Sequence, residues 1–457
     1  NAFIVFCVIF SSIQMFSQTD MDKAWLKVDE VKLEEALEMF IDDAEKNPTS
    51  KSYLAAAYLE EILLKRETCI THFLEALNRE NNPAPFLIAA MHSPRITENI
   101  DDNIFIVSKL KEVAESTDDG FIQTYMYEKI GKYYEDKAQL DSAIIYFNKM
   151  GAVKTWNVIG PFENISGSGF YTEFPPEKEF IESNKYQGKE NKKINWFEPA
   201  KYRRDGWVDF LCYFSDPNSI FYGNTFVYSE ERQKVQIRIG TSGSLRAFLN
   251  DQLIIETYTE TNNNADTFIA ETYLQKGWNR LLIKAGYSEI NYCNFMVRIT
   301  DERGFELKNL KFSAEGKEYP KNKKEEFISI KSTVEKFFED RLAAQPDNPV
   351  NYLLLAEAYS INHKSYETEI VYNNGMKKFP QNVLFPIHLA GKYMRDNNTT
   401  MYYTLIDKAD KRREDIPIIV DSKLAKEMSE QNKDNFITIF EKYQDAISNT
   451  KTFYKNS

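Results

Sequence analysis

Ser244-Leu-Arg-Ala-Phe-Leu-Asn-Asp-Gln-Leu-Ile-Ile255 places apolar side chains on either side of a polar Asn250-Asp251 step. Successive side chains of a strand point to opposite faces, so alternating apolar positions between turn residues predict half-buried antiparallel strands. Asn and Asp tolerate positive φ, which makes the two-residue step a tight hairpin. The neighbouring stretches Lys234-Val-Gln-Ile-Arg-Ile-Gly240 and Leu274-Gln-Lys-Gly-Trp-Asn-Arg-Leu-Leu-Ile-Lys284 repeat the pattern. In the second, Gly277 lets the chain turn, Asn279 can bond its own backbone, and Leu281 and Ile283 return as a strand. Cys293-Asn-Phe-Met-Val-Arg-Ile-Thr300 and Asp301-Glu-Arg-Gly304 give a last long strand and its turn. From about Trp156 to Phe312 the period is strand-like, and the stretch reads as an antiparallel β-sandwich.

On both sides the period becomes helical. In Gly120–Gly151, Tyr127, Ile130, Gly131, Tyr134, Ala143 and Phe147 fall at the spacing of a tetratricopeptide repeat, a two-helix unit of ~34 residues. Gly131 and Ala143 are small where the two helices touch, and the rings fill the space around that contact. A second copy places Tyr352, Leu355, Ala356 and Tyr359 in the same register and closes at Pro380, with Thr368 where a small Ala is usual. Such repeats stack into solenoids, so they suggest a groove for a peptide or partner protein, or arms that only position the sandwich. The fold class is therefore multidomain α + β, helical-repeat arms flanking a jelly-roll-like sandwich. The expected bounds are a helical arm over 19–151, the sandwich over 152–313, a charged linker over 314–328 and a second arm over 329–457.

The 457 residues exceed what one core usually supports. The formal net charge of −12 lies mostly in the arms, which argues against nucleic acid, whose phosphates need a basic face. Lys192-Lys193 and Arg203-Arg204 are too short to reverse that. The apolar run Ala2–Phe16 is short for a membrane span and reads as a signal-peptide core, so 1–18 is expected to be a truncated signal peptide, with a retained anchor as the alternative. Beyond Cys7, the thiols Cys69, Cys212 and Cys293 are too few for a disulfide framework; Cys212 and Cys293 are expected as buried strand thiols.

The stretch Leu245–Asp251 with Leu274–Lys284 resembles the galactose-binding-like jelly roll found as an accessory domain in glycoside hydrolases. Trp156-Asn-Val-Ile-Gly-Pro-Phe162, Gly167-Ser-Gly-Phe170 and Phe174-Pro-Pro-Glu177 are similar to a narrower group, exported bacterial proteins in which tetratricopeptide repeats and such a sandwich precede a transglutaminase-like domain. The resemblance covers the middle third well and the arms loosely, and the sequence reaches Ser457 with no transglutaminase-like segment visible. It implies sugar stacking on loop aromatics and, in some members, a structural calcium ion. Trp196, Trp207, Tyr222, Tyr258 and Tyr287 are the aromatic candidates, of which Trp196, Tyr258 and Tyr287 are preferred. Trp156, Trp207 and Trp278 also suit a core. Asn262, Asn264 and Asp266 offer oxygens suited to calcium, or a plain solvated loop.

The histidines, His72, His92, His363 and His388, all lie in the arms, so the sandwich can build neither a Cys-His pair nor a histidine zinc site. Cys69 and His72 share a helical face at i, i+3 and read as repeat packing. No P-loop, Gly-x-Ser-x-Gly or His-Glu-x-x-His motif occurs, and Glu173, Glu177 and Glu179 read as solvated surface. The expectation is an exported, non-catalytic protein of a Gram-negative envelope, periplasmic, without cofactor, binding a partner protein or glycan. The alternative is the non-catalytic part of a transglutaminase-like or peptidase enzyme.

Overall fold

In the computed structural model, which describes residues 19–90, 93, 104–200 and 203–447, every strand pairing is antiparallel. The run Ala2–Phe16 with Cys7, and His92, lie outside the described residues. The described residues contain 16 α-helices, a ten-stranded sheet and a two-stranded ribbon. None of these helices is long and apolar enough to cross a membrane. The described residues divide into two compact units, one within Asn1–Glu80 and Gly375–Ser457, the other within Asn81–Asn374.

The sheet belongs to the second unit. Its strands are β1 (Asn157–Glu163), β4 (Val208–Asp209), β5 (Ser219–Ser229), β6 (Gln233–Leu249), β7 (Gln252–Asn262), β8 (Phe268–Leu274), β9 (Gly277–Tyr287), β10 (Asn294–Thr300), β11 (Lys311–Ser313) and β12 (Ile328–Ser329); β2 (Lys185–Gln187) and β3 (Lys193–Asn195) form the ribbon. The stretches ending at Gly240 and starting at Ser244 are one 17-residue strand, not two. Its first half pairs with β8 and β10, its second with β7 and β9. The exchange falls at Gly243, where φ is +117 and an added Cβ would lie 2.4 Å from the Gly286 carbonyl oxygen. Only glycine suits that combination of left-handed backbone and close approach. Val235, Ile237 and Ile239 from the first half and Leu245, Ala247 and Leu249 from the second share one apolar core, so the sheet folds on itself like a sandwich. Asn250 (φ 48) and Asp251 (φ 69) make the two-residue hairpin between β6 and β7. Buried Asn279 braces the next turn: its side-chain oxygen accepts from the Gln275 amide, and its Nδ2 donates to the Gln275 carbonyl, both at 2.8 Å.

The helices of this unit are α5 (Ala84–Ala89), α6 (Ile104–Ser116), α7 (Gly120–Asp136), α8 (Leu140–Lys149), the short α9 (Pro175–Lys178), α10 (Thr333–Ala344), α11 (Pro349–Ile361) and most of α12 (Ser365–Lys378). Asp119 caps α7, accepting from the amides of Phe121 at 2.9 Å and Ile122 at 3.0 Å. In the α7–α8 hairpin a Cβ on Gly131 would lie 2.4 Å from the Phe147 ring, the close contact its small residue allows. Thr368 is buried because its hydroxyl donates to the Lys364 carbonyl at 2.8 Å. The first unit holds α1 (Asp20–Asp29), α2 (Leu33–Lys46), α3 (Ser50–Ile62) and α4 (Arg66–Leu77), with α13 (Leu384–Arg395), α14 (Thr399–Asp410), α15 (Pro417–Ser429) and α16 (Lys433–Tyr443).

In each unit, helices from before and after the sheet lie together. Phe86 of α5 stands edge-on to Phe337 and Phe338 of α10 at 5.6 and 5.2 Å. Tyr58 of α3 meets His388 of α13 at 5.4 Å, and Arg413 grips both Glu34 oxygens at 2.6 and 2.8 Å. The charged stretch expected as a linker is strapped along the sandwich: the Tyr319 hydroxyl donates to Asp251 at 3.0 Å, and β12 pairs with β8.

Candidate functional site

Strand β9 alternates Leu281, Ile283 and Ala285 into the sandwich core with Arg280, Leu282 and Lys284 toward its outer face. A basic side chain buried on that face needs a carboxylate and good acceptors, because an unpaired buried charge is costly. The segment after β1 supplies them. Lys284 Nζ donates to Glu177 at 2.8 Å and to the Thr172 carbonyl at 2.7 Å. Arg280 Nη2 donates to the Pro176 carbonyl at 2.6 Å, and the Tyr222 hydroxyl donates to Glu177 at 2.6 Å. Burial holds the Lys284 ammonium below its ordinary value, with Glu177 opposing, and pushes the Tyr222 hydroxyl well above its own. The loop is thereby fixed on the sheet.

What this fixed loop presents is Tyr171. It and Tyr258 of β7 are 65% and 53% exposed, with planes parallel within 3° and centroids 6.1 Å apart. Both rings stand edge-on to buried Phe170, at 4.7 and 5.2 Å. Gly167, at φ +73, makes room for the pair: a Cβ there would lie 2.6 Å from the Tyr258 hydroxyl. Beside the rings, Arg246 lies 5.8 Å from the Tyr171 centroid and pairs with Glu256 at 2.8 Å and Glu177 at 3.8 Å. The positive charges of Arg246 and Lys284 are matched by Glu177 and Glu256, so these four groups carry no net charge beside the exposed rings, and exposed Glu173 lies within electrostatic reach of Lys284.

Of the three rings expected to be exposed, Tyr258 alone is. Trp196 is buried against Phe180 at 5.1 Å, within the core between the outer face and residues 157–200. Tyr287 is buried in the sandwich core, its hydroxyl donating to the Asp216 carbonyl at 2.8 Å. Trp196 is covered by the segment folded over the outer face, and Tyr287 continues the inward row of Leu281, Ile283 and Ala285, so neither ring can stack on a sugar here. Trp207 and Tyr222 are buried too, as is Trp156.

The calcium reading of Asn262, Asn264 and Asp266 does not fit the geometry. Asp266 is buried between two guanidiniums, bonded to Arg298 and lying 3.4 Å from Arg238, and two cations at one carboxylate repel a third. Asn264 Nδ2 donates to the Ile361 carbonyl at 3.0 Å, and Asn262 is exposed. Among the described residues no three histidine, cysteine or carboxylate side chains converge as a metal site.

Glu177 is an anchor rather than solvated surface, whereas Glu173 and Glu179 are exposed. Cys293 is buried as expected, but Cys212 is exposed in a 3-10 turn, its thiol pushed up by partial burial and by Asp209. Cys69 and His72 turn to separate partners on α3, the Ala57 carbonyl at 3.3 Å and Glu60 at 2.8 Å.

Sequence reasoning missed Tyr171. Its signal was an aromatic pair, Phe170-Tyr171, enclosed by Gly167-Ser-Gly169 and Pro175-Pro176, a short loop too constrained to hide both rings. Compared with known protein families, curated proteins and solved structures, the chain matches none.

Proposed function

We propose that this chain is an exported, non-catalytic binding protein whose sandwich, read as a jelly roll, recognises a neutral glycan at Tyr171 and Tyr258. The observation that carries the reading is the exposed parallel ring pair, held by buried Phe170 beside the charge-matched Arg246–Glu256 pair. A sugar ring has an apolar face that stacks on an aromatic and a rim of hydroxyls that a guanidinium and a carboxylate can bond. The preset loop keeps the ordering cost of binding low.

Calorimetric titration with neutral oligosaccharides at high concentration tests this. Tyr171→Ala and Tyr258→Ala should each weaken binding by about tenfold, on the order of one buried aromatic contact. The unfolding temperature should stay at the wild-type value, since both rings are largely exposed. Absence of binding at millimolar sugar, or binding indifferent to both substitutions, overturns the glycan reading. Recognition of a partner protein then takes its place. It is favoured by the α7–α8 hairpin, which we read as a tetratricopeptide unit, and by Leu140, Ile144 and Ile145, exposed on α8.

A further inference from the structure

A cleft of ≈ 420 Å³ opens in the second unit between the α7–α8 hairpin and the turn that follows β10. That volume suits a small ligand. Its walls are tied together by backbone-directed bonds. Arg298, buried at the back, donates from Nε to the Met150 carbonyl at 2.6 Å and from Nη2 to the Gly304 carbonyl at 2.8 Å. The Gly120 amide donates to the Arg303 carbonyl at 2.7 Å, joining α7 to the same turn.

The lining mixes rings and charge. Tyr127 and Phe305 supply apolar faces, and Lys149, Lys308 and Glu306 supply charge. Lys149 Nζ sits 5.2 Å from the ring centres of Tyr127 and Tyr146. Among the described residues neither lysine has a carboxylate within ion-pair distance. Arg298 shares Asp266 with Arg238, so the ammonium groups of Lys149 and Lys308 add to the positive charge here and face one lining carboxylate, Glu306.

We propose that this cleft binds a small organic carboxylate, its anionic group drawn to Lys149 and Lys308 and its apolar ring or chain laid against Tyr127 and Phe305. The site is distinct from the tyrosine pair and does not depend on it.

The probe is phenylacetate, followed by NMR or calorimetry on the full chain, with uncharged phenylacetamide as control. Phenylacetate should bind at millimolar concentration and phenylacetamide should not. The double variant Lys149→Gln/Lys308→Gln should weaken binding about tenfold, and Glu306→Gln should tighten it about two- to threefold by removing the repelling charge. Tyr258→Ala should leave it unchanged. All three charged residues are exposed, so the variants should unfold with the wild type. No binding of phenylacetate, equal binding of the amide, or an unchanged affinity in the double variant overturns the proposal.

Discussion

The two outer faces of the sandwich solve the same problem with different consequences. On the face of β9, Glu177 serves Lys284, Arg246 and the Tyr222 hydroxyl. On the face of β6 and β10, Asp266 serves Arg238 and Arg298, and its Oδ1 has no hydrogen-bond partner among the described residues. In both, a carboxylate from outside the strands sits between two strand cations. The first carboxylate comes from the segment that displays Tyr171. The second holds Arg298, whose other bonds reach the end of α8 and the turn at Gly304. One charge cluster positions a candidate binding surface; the other fastens helices to the sheet.

The contrast breaks most visibly at Asp266. Asp266→Ala leaves two buried guanidiniums facing each other and should cost about 3–5 kcal/mol of stability. Chemical denaturation would measure it, and hydrogen exchange should show α8 losing protection along with β10. Glu177→Gln keeps the shape and an acceptor, so its effect should be smaller, about 2–3 kcal/mol. Its local signature differs: protection should fall around Thr172 while α8 stays as it was. If both variants loosen the same segments, the two faces are not separate devices.

A finer distinction comes from pH. Burial, with the nearby Glu177 charge, pushes the Tyr222 hydroxyl well above its ordinary value of 10.0. Above about pH 10 the unfolded chain releases that proton while the folded chain keeps it, so stability falls as the pH rises further. Lys284 acts in the opposite sense. Its pKa lies below the ordinary 10.5, so the unfolded chain binds more protons and stability rises as the pH climbs toward that value. Tyr222→Phe removes the hydroxyl donated to Glu177 and should cost about 1.5–2 kcal/mol near neutral pH. The gap from wild type should then shrink above about pH 10, because the phenylalanine has no proton to lose. A gap that stays constant to about pH 11 would show that Tyr222 is not the titrating group.

These clusters were only half legible in the sequence. Alternation showed Leu281 and Ile283 as core and Asn250-Asp251 as a hairpin, because both signals are local. The mixed α + β class followed from the change of period. A covered outer face was not visible, since its cover, residues 164–200, has little regular periodicity. Trp196 looked exposed and Glu177 solvated for that reason, whereas Tyr287 continues the inward alternation of Leu281, Ile283 and Ala285 and was misread at the strand end. Lys284 after the run Leu281-Leu-Ile283 reads equally well as the solvated face of a half-buried strand, so the sequence does not mark its buried partner. The meeting of helices from before and after the sheet, at Phe86 and at Tyr58, is a long-range fact that no local pattern encodes.

A small effect on stability is expected at Gly167, and it joins the pinned loop to the rings it displays. Its φ of +73 lies in the left-handed region, where a Cβ adds about 1 kcal/mol of strain. The larger consequence is steric. An added Cβ would lie 2.6 Å from the Tyr258 hydroxyl and 3.2 Å from its Cζ, so the ring must swing away. Glu177, Lys284 and Tyr222 would keep their contacts, because none of them touches this position. Gly167→Ala should therefore lower stability by only about 1 kcal/mol while weakening glycan binding nearly as much as Tyr258→Ala. A double variant, Gly167→Ala with Tyr258→Ala, should bind no more weakly than Tyr258→Ala alone, since the clash acts through that ring. Additive losses would show instead that Gly167 supports the site through the loop backbone, and would place Tyr171 rather than Tyr258 at its centre.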